Sequence, residues 1–353
     1  MSLLSQMFPS SPAFTEKDIP ELSGKARLCH YLLLCERVYL VTGGYSGVGL
    51  EVCRVLYHRG GQVIIVGRSQ ESYETAVKDI KSNPGRIADS KPGSLEWVKV
   101  DLADLTTIHP AIEELLARIE RLDVVWYNAG VMFPPVGSKT KQGYELQWGT
   151  NVVAHFALHK LLTPLLISTA ASSPTGTVRA IWVSSIAHTR SPKPYGINFD
   201  DINYAETRRF LSWITYAQSK AGAVLLADEY AKQSVAGAAV EEDGRKKNHV
   251  ISISVNPGNL KTNLRRYSSR LSNFLFDFIL YPQRLGGLTE LYGGLAPETG
   301  EEEFNGGYVI PFGRKGEIAT YVKKGLTEAC TGKKLWDLLE EEVKPYIYNR
   351  CES

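Results

Sequence analysis

Short, near-continuous apolar runs, each followed by a segment of helix length, set the strongest limit on how this chain can fold. The runs are 38–41, 62–66, 95–100, 124–127, 178–183 and 250–255, with 307–311 as a seventh. They do not alternate polar with apolar residues, as expected of strands covered on both faces. Between them, segments 51–59, 71–81, 106–120, 145–167 and 216–235 carry helical periodicity. Strand–helix alternation with short connections predicts an α/β fold. The expected form is a single-domain, Rossmann-type doubly wound parallel sheet of about seven strands, with helices on both faces.

The 353 residues are ample for one such core, and 40 Lys+Arg against 38 Asp+Glu leave a net charge of +2. That balance argues against a dedicated nucleic-acid binder. Five cysteines (Cys29, Cys35, Cys53, Cys330, Cys351) are odd in number and irregularly spaced, so they suit neither a disulfide framework nor a metal site and point to a reducing compartment. No basic stretch followed by an apolar one opens the chain, and the apolar runs fall short of the ~18–20 residues of a membrane span. A cytoplasmic protein is expected. Residues 1–25, rich in Ser, Pro and charge, read as an arm laid on the surface. Residues 38–325 read as the main domain, the one that carries the motifs described next for dinucleotide binding and catalysis, and 326–353 as a C-terminal helical tail.

Thr42-Gly43-Gly44-Tyr45-Ser46-Gly47-Val48-Gly49 lies between the first run and the first helix. Glycines at 43, 47 and 49 let the backbone turn sharply and approach a pyrophosphate, and the helix that follows aims its N–H groups at that anion. The second run ends in Gly67-Arg68-Ser69, where an NAD site would carry Asp or Glu for the ribose 2′-OH. Arg68 can instead bond a 2′-phosphate, which favours NADP over NAD, the other reading being a solvated surface Arg. Asp101, followed by Leu102, can meet the adenine amino group, or equally cap the helix near Thr106. The small residues of Asn128-Ala129-Gly130 leave room for a ribose.

Tyr216 and Lys220 stand four residues apart, on one helix face. A free phenol has a pKa of about 10, and a nearby ammonium is expected to lower it towards a working acid–base group. Ser184-Ser185 ends the fifth run, where a hydroxyl can donate to a substrate carbonyl; the bland reading of Ser185 is a cap. Asn151 is a poor helix former inside a helical segment, which suggests a distortion holding a water that relays protons to Lys220. In Asn256-Pro257-Gly258-Asn259-Leu260-Lys261-Thr262, the backbone and the Thr262 hydroxyl suit the carboxamide of a nicotinamide.

Taken in order, Thr-Gly-x-x-x-Gly-x-Gly, Asn-Ala-Gly, the helix Asn, the strand-end Ser, Tyr-x-x-x-Lys and Pro-Gly-x-x-x-Thr resemble the short-chain dehydrogenase/reductase family. The resemblance runs from about Leu22 to the seventh strand. It implies a catalytic tetrad of Asn151, Ser185 (rather than Ser184), Tyr216 and Lys220, an NADP(H) cofactor, and a substrate lid at about 263–306. Ser184-Ser185-Ile186-Ala187-His188 and Leu291-Tyr292-Gly293-Gly294-Leu295-Ala296-Pro297-Glu298 look similar to its retinol-dehydrogenase-like branch, fungal members included. One departure stands out. In the family Ser-Gly-Lys runs straight into the first strand, whereas here residues 26–37 intervene, as an insertion, an unspliced intron or a genuine extra turn.

The aromatic-rich stretch 271–282 could line a lipophilic pocket, touch a membrane surface or form a buried helix, and Trp213 and Tyr195 could add aromatic walls. The expected function is NADP-dependent hydride transfer between an alcohol and a carbonyl of a small lipophilic molecule. The alternative is a non-catalytic dinucleotide sensor or scaffold of the same fold. A homo-oligomer and peripheral membrane contact are left open, and nucleic acid is not an expected partner.

Overall fold

The computed structural model describes residues 3–23, 26–28, 31–33, 37–85, 87, 91–204, 211–238, 248–261 and 280–348. Its frame is an eight-stranded sheet: β3 (Val38–Thr42), β4 (Gln62–Gly67), β5 (Ser94–Lys99), β6 (Val124–Tyr127), β7 (Arg179–Val183), β8 (Ile251–Val255), β9 (Tyr308–Ile310) and β10 (Arg314–Gly316). The order is β10-β9-β8-β7-β6-β3-β4-β5. All neighbours pair in parallel except the edge pair β9/β10, which is antiparallel. The seven expected runs are all strands. The eighth escaped the sequence because Arg314-Lys315-Gly316 has no apolar residue to announce it. Strand order reverses between β3 and β6, which opens a crevice at their carboxyl ends where such sheets hold ligands.

Residues 26–37 contribute β1 (Ala26–Leu28) and β2 (Tyr31–Leu33), which pair only with each other, as a separate two-stranded sheet. Among the described residues neither short strand joins the large sheet, whereas the Arg37 carbonyl, just ahead of β3, accepts the Gln62 N–H at 3.0 Å.

Each sheet face carries its own apolar layer. On one, α2 (Gly47–His58), α3 (Gln70–Ser82) and α8 (Gln283–Leu295) bring Val52, Leu56, Ile80 and Leu291 against Val41, Ile65 and Ile253. On the other lie α4 (Ile108–Leu116), α6 (Ala154–Ala171), α7 (Leu211–Gly237) and α10 (Thr331–Ile347). They bury Ile112, Phe156, Leu225 and Trp336 against Leu40, Tyr127 and Trp182. Burying one such side chain stabilises the fold by roughly 1.5–3 kcal/mol relative to leaving it in water.

Several expectations change here. The N-terminal arm does not merely lie on the surface: Phe14, Ile19 and Leu22 are buried in the α2/α8 layer, Glu16 pairs with Arg284, and Gln6 of α1 (Leu3–Met7) accepts a hydrogen bond from Asn256 Nδ2 at 2.9 Å. The helix expected over 106–120 is shorter, a 3-10 turn Leu105–Thr107 leading into α4. The segment 145–167 is interrupted: a single turn α5 (Leu146–Trp148) passes through a π turn, Gly149–Val153, into α6. The stretch Leu146–Ala171 is long and apolar enough on average to cross a membrane, with mean hydropathy 1.3, but Lys160 interrupts its uncharged run and its apolar residues pack inside the second layer. Within 263–306, residues 263–279 lie outside the described residues and α8 is a core helix with Leu288 and Leu291 buried. Within 326–353, α10 buries Leu335, Leu339 and Val343 in the core.

Three histidines of the second layer are buried. Desolvation holds His155 and His159 near 3 and His188 near 4. His159 Nδ1 bonds the Tyr127 hydroxyl at 2.8 Å, and His188 Nε2 accepts the Ala319 N–H at 3.0 Å. In the unfolded chain such groups titrate near pH 6.5. Their depressed folded values mean that stability is fully present above pH 6.5 and is lost as pH falls towards 4. Urea unfolding is expected to show a loss approaching about 1.4 kcal/mol per pH unit per histidine below pH 6, and a shallower slope in His159→Gln.

Candidate active site

The glycine turn joins β3 to α2. Gly43 and Gly47 have φ of +68° and +62°, the left-handed region that glycine enters without penalty. Where Gly47 would carry a Cβ there is open space, and a Cβ on Gly49 would stand 2.5 Å from Asn128 Nδ2 and 2.9 Å from the Gly43 carbonyl. Asn128 donates through Nδ2 to the Thr42 carbonyl at 2.7 Å, and the Ala129 N–H donates to Thr42 Oγ1 at 2.9 Å, so the end of β6 is bolted to the turn. Asn128 thus acts on the turn itself. Ser46 begins α2 with no hydrogen bond from its hydroxyl to the helix.

The crevice beyond is lined by Gly43, Ser46, Gly47, Val48, Arg68, Asp101, Leu102, Asn128, Ala129 and Gly130, all singled out from the sequence. Tyr45, Met132 and Thr150 join them unforeseen. The Thr150 hydroxyl is buried with no hydrogen-bond partner, and a Cβ on Gly130 would come 3.2 Å from Asn151 Oδ1 and 3.8 Å from Lys220 Nζ. An unfilled cradle, an orphaned hydroxyl and helix N–H groups facing the turn fit a dinucleotide. Asp101 does not cap the neighbouring helix: its Oδ1 accepts the Ala103 N–H at 3.0 Å, and Asp104 takes the cap by accepting the Thr106 N–H.

Tyr216, Lys220, Ser185 and Asn151 meet at the far end. Lys220 Nζ, 6% exposed, lies 5.7 Å from the centre of the Tyr216 ring and donates to the Val183 carbonyl at 2.8 Å. Ser184 donates to the Lys220 carbonyl at 2.7 Å, locking α7 to the end of β7. Of the two roles weighed for Ser185, the cap is present, its hydroxyl accepting the Ala187 N–H at 3.2 Å, and the same hydroxyl stands near enough to the Tyr216 phenol to lower its pKa. The expectation that Lys220 lowers the phenol does not hold in this state. Burial pushes Tyr216 up to about 12, the Ser185 hydrogen bond pulling back, because desolvation penalises a phenolate more than a cation beyond the ring favours it. Burial also lowers Lys220 to about 8, opposed by the charge of Glu290.

Asn151 sits in the π turn, the distortion its helix-breaking character suggested. Its Oδ1 accepts the Val131 N–H at 2.9 Å, while Nδ2 donates to the Val131 carbonyl at 3.1 Å and to Ser219 Oγ at 3.0 Å. Its main-chain carbonyl faces His155 Nδ1 at 3.1 Å. That nitrogen must carry the proton, which leaves Nε2 to accept from Thr42 Oγ1 at 3.0 Å. His155 therefore links the π turn to the glycine turn, a contact across 113 residues that no local spacing signals.

Phe133, just beyond Val131, has a φ of +53°, a left-handed backbone that costs a non-glycine residue about 1–2 kcal/mol. In the loop after β8, Gly258 has a φ of +103° and donates to Asn256 Oδ1 at 3.0 Å, next to Pro257. Leu260 is buried against Val48 and Phe312. Neither Pro257, Gly258 nor Leu260 lines the crevice described above, and Thr262 lies outside the described residues. Tyr195 packs on Gly325 of α9 (Thr320–Glu328), with its Cβ 3.0 Å from where a Gly325 Cβ would stand.

Gly49→Ala would drive a methyl into Asn128 and a carbonyl oxygen of the turn. A fluorescence titration is expected to show reduced-dinucleotide affinity about 5- to 150-fold weaker, matching an overpacking cost of about 1–3 kcal/mol at the turn, with the thermal transition of the fold retained.

Comparison with known proteins agrees with this arrangement. The family model for short chain dehydrogenase matches residues 37–195. A short-chain dehydrogenase/reductase of Phomopsis amygdali is 37% identical over 97% of this chain and 96% of its own length. One of Emericella nidulans is 38% identical over 95% and 98%. Among solved structures, a protein of Mycobacterium paratuberculosis superposes with a TM-score of 0.63 at 25% identity, covering 94% of this chain and 97% of that one. The KRED1-Pglu enzyme shares the fold, with a TM-score of 0.53 at 23% identity over 77% of this chain and all of its own. Relatives that match from end to end, on a sheet of this order, show that the chain belongs to the short-chain dehydrogenase/reductase family, oxidoreductases that bind NAD(P) and interconvert alcohols and carbonyls.

Proposed function

We propose that this protein is an NADP(H)-dependent oxidoreductase that reduces a lipophilic carbonyl compound, or oxidises the matching alcohol, with Tyr216 as the acid–base group. The observation that carries the reading is the Lys220 ammonium 5.7 Å from the centre of the Tyr216 ring, with the Ser185 hydroxyl close enough to shift the phenol and Asn151 opposite Gly130. When bound, the nicotinamide supplies or takes the hydride. Tyr216 gives its phenolic proton to the carbonyl oxygen in reduction and recovers it in oxidation. With the phenol held up to about 12, the group carries its proton at neutral pH, and giving it up requires the phenolate to be stabilised. Ser185 can donate to the same oxygen and stabilise charge that builds there. The Lys220 cation, 5.7 Å from the ring centre, stabilises the phenolate left behind. Asn151 holds the Val131 backbone and α7 in register around them.

Tyr216→Phe removes the proton but keeps the ring. Steady-state rates with an aldehyde and ketone panel are expected to fall at least about a hundredfold, with the NADPH dissociation constant unchanged. Substantial residual turnover would remove Tyr216 from the reaction.

Preference for NADP rests on two neighbours. A Cβ at position 67 would lie 2.1 Å from the Tyr45 ring, so the place where an NAD site carries its carboxylate is filled by that ring, and a side chain would enter only if the ring moved. Arg68 follows on the crevice wall, exposed and without an ion-pair or hydrogen-bond partner among the described residues. Its guanidinium suits a 2′-phosphate. Arg68→Ala is expected to weaken NADPH about 10- to 100-fold, the worth of a charge-assisted bond, and NADH hardly at all; equal losses would exclude the contact.

A further inference from the structure

Two aromatic rings stand around the Tyr216 phenol. The Phe133 ring centre lies 5.7 Å from it and the Trp213 centre 6.4 Å, with 5.4 Å between Phe133 and Trp213, so the three form a nearly equilateral triangle. Trp213 is three residues before Tyr216 on α7, on the same helix face. Phe133 arrives from a different segment, and its left-handed backbone needs an external hold. Gln147, fully buried, supplies it. Gln147 Oε1 accepts the Phe133 N–H at 3.0 Å, while Nε2 donates to the Ser212 carbonyl at 3.0 Å and to Thr215 Oγ1 at 2.6 Å. One amide thus fixes the Phe133 loop against the first turn of α7.

Core packing does not explain this. Trp213 remains 47% exposed, and a strained backbone is not required to leave an indole half in water. Rigid aromatic surface kept open beside a reacting group is what a binding wall needs. Met132, packed against the same cluster, adds a polarizable thioether that adapts to flat partners.

We propose that Phe133 and Trp213 are the specificity-determining wall of the site and that its substrate carries a flat aromatic or conjugated ring joined directly to the reacting carbonyl. The inference rests on the oxidoreductase reading above, since Tyr216 and Ser185 locate the carbonyl oxygen. With that oxygen at the phenol, a ring one bond from the carbonyl is held beside Tyr216, whose ring centre lies 5.7 Å from that of Phe133 and 6.4 Å from that of Trp213, and offset or edge-to-face pairs are favourable at about 4.5–7 Å. A saturated ring of the same size is thicker and has no quadrupole, so it gains burial alone.

The test compares 2-acetylnaphthalene with its saturated counterpart 2-acetyldecalin, with NADPH, in the full chain and in Trp213→Leu and Phe133→Leu. The readout is the ratio of kcat/KM for the two ketones, variant against parent, which cancels their intrinsic reactivities. That ratio is expected to fall about three- to tenfold in each variant, the range set by aromatic pair energies. In parallel, ligand-observed NMR gives the affinity of 2-acetylnaphthalene for the NADP+-saturated protein, which should weaken by a similar factor in Trp213→Leu. An unchanged ratio with unchanged affinity overturns the aromatic wall and leaves the oxidoreductase reading standing. Affinity that depends on Trp213 in a protein that turns over neither ketone supports the wall and counts against the reductase.

Discussion

The amide of Asn151 is where three separately folded parts of this molecule are made to agree. Its oxygen and nitrogen close on both main-chain polar groups of Val131, and the second N–H reaches Ser219. One side chain therefore sets the loop after β6, the π turn at the head of α6 and the face of α7 that carries Tyr216 and Lys220. The π turn is what aims it: a regular helix would rotate position 151 away from the strand ends, and such bulges occur preferentially at functional sites. His155 continues the seam to Thr42, so the acid–base end and the phosphate end share one buried hydrogen-bond network. Buried polar networks are costly when incomplete and rigid when satisfied, which suits a site that must hold several groups within tenths of an ångström.

Electrostatics at this site follow burial before they follow pairing. Lys220, Tyr216 and Glu290 are all inside, and each is displaced towards its neutral form. Glu290 has neither carboxylate oxygen hydrogen-bonded, and burial raises it to about 8 against the pull of Lys220. Each group pulls the other towards its charged form, and burial outweighs that pull for both.

Features set by short spacing were legible in the sequence. The glycine turn, Ser185 at a strand end and the Tyr216–Lys220 pair each depend on neighbours within one turn of chain, and Asn151 announced its distortion by its poor helix propensity. Contacts made across long separations were not legible. Gln147 reaches Thr215 over 68 residues and His155 reaches Thr42 over 113, so nothing local marks either as a positioning group. Phe14, Ile19 and Leu22 lack the periodicity of a helix or strand, which hid their burial. The direction of the Tyr216 shift was misjudged because spacing reveals the neighbouring charge but not the loss of water.

The burial of the N-terminal arm sets an order of events during synthesis. Gln6 bonds Asn256 across 250 residues, and Phe14 stacks edge-on against Tyr292. At translation rates of about 5–20 residues per second, the arm waits roughly 12–50 s before its partners leave the ribosome. For that interval Gln6 and Phe14 lack those two partners, while Leu22 and Glu16 can already hydrogen-bond Arg59, so this side of the molecule closes in two stages, the α2 contacts before the α8 contacts.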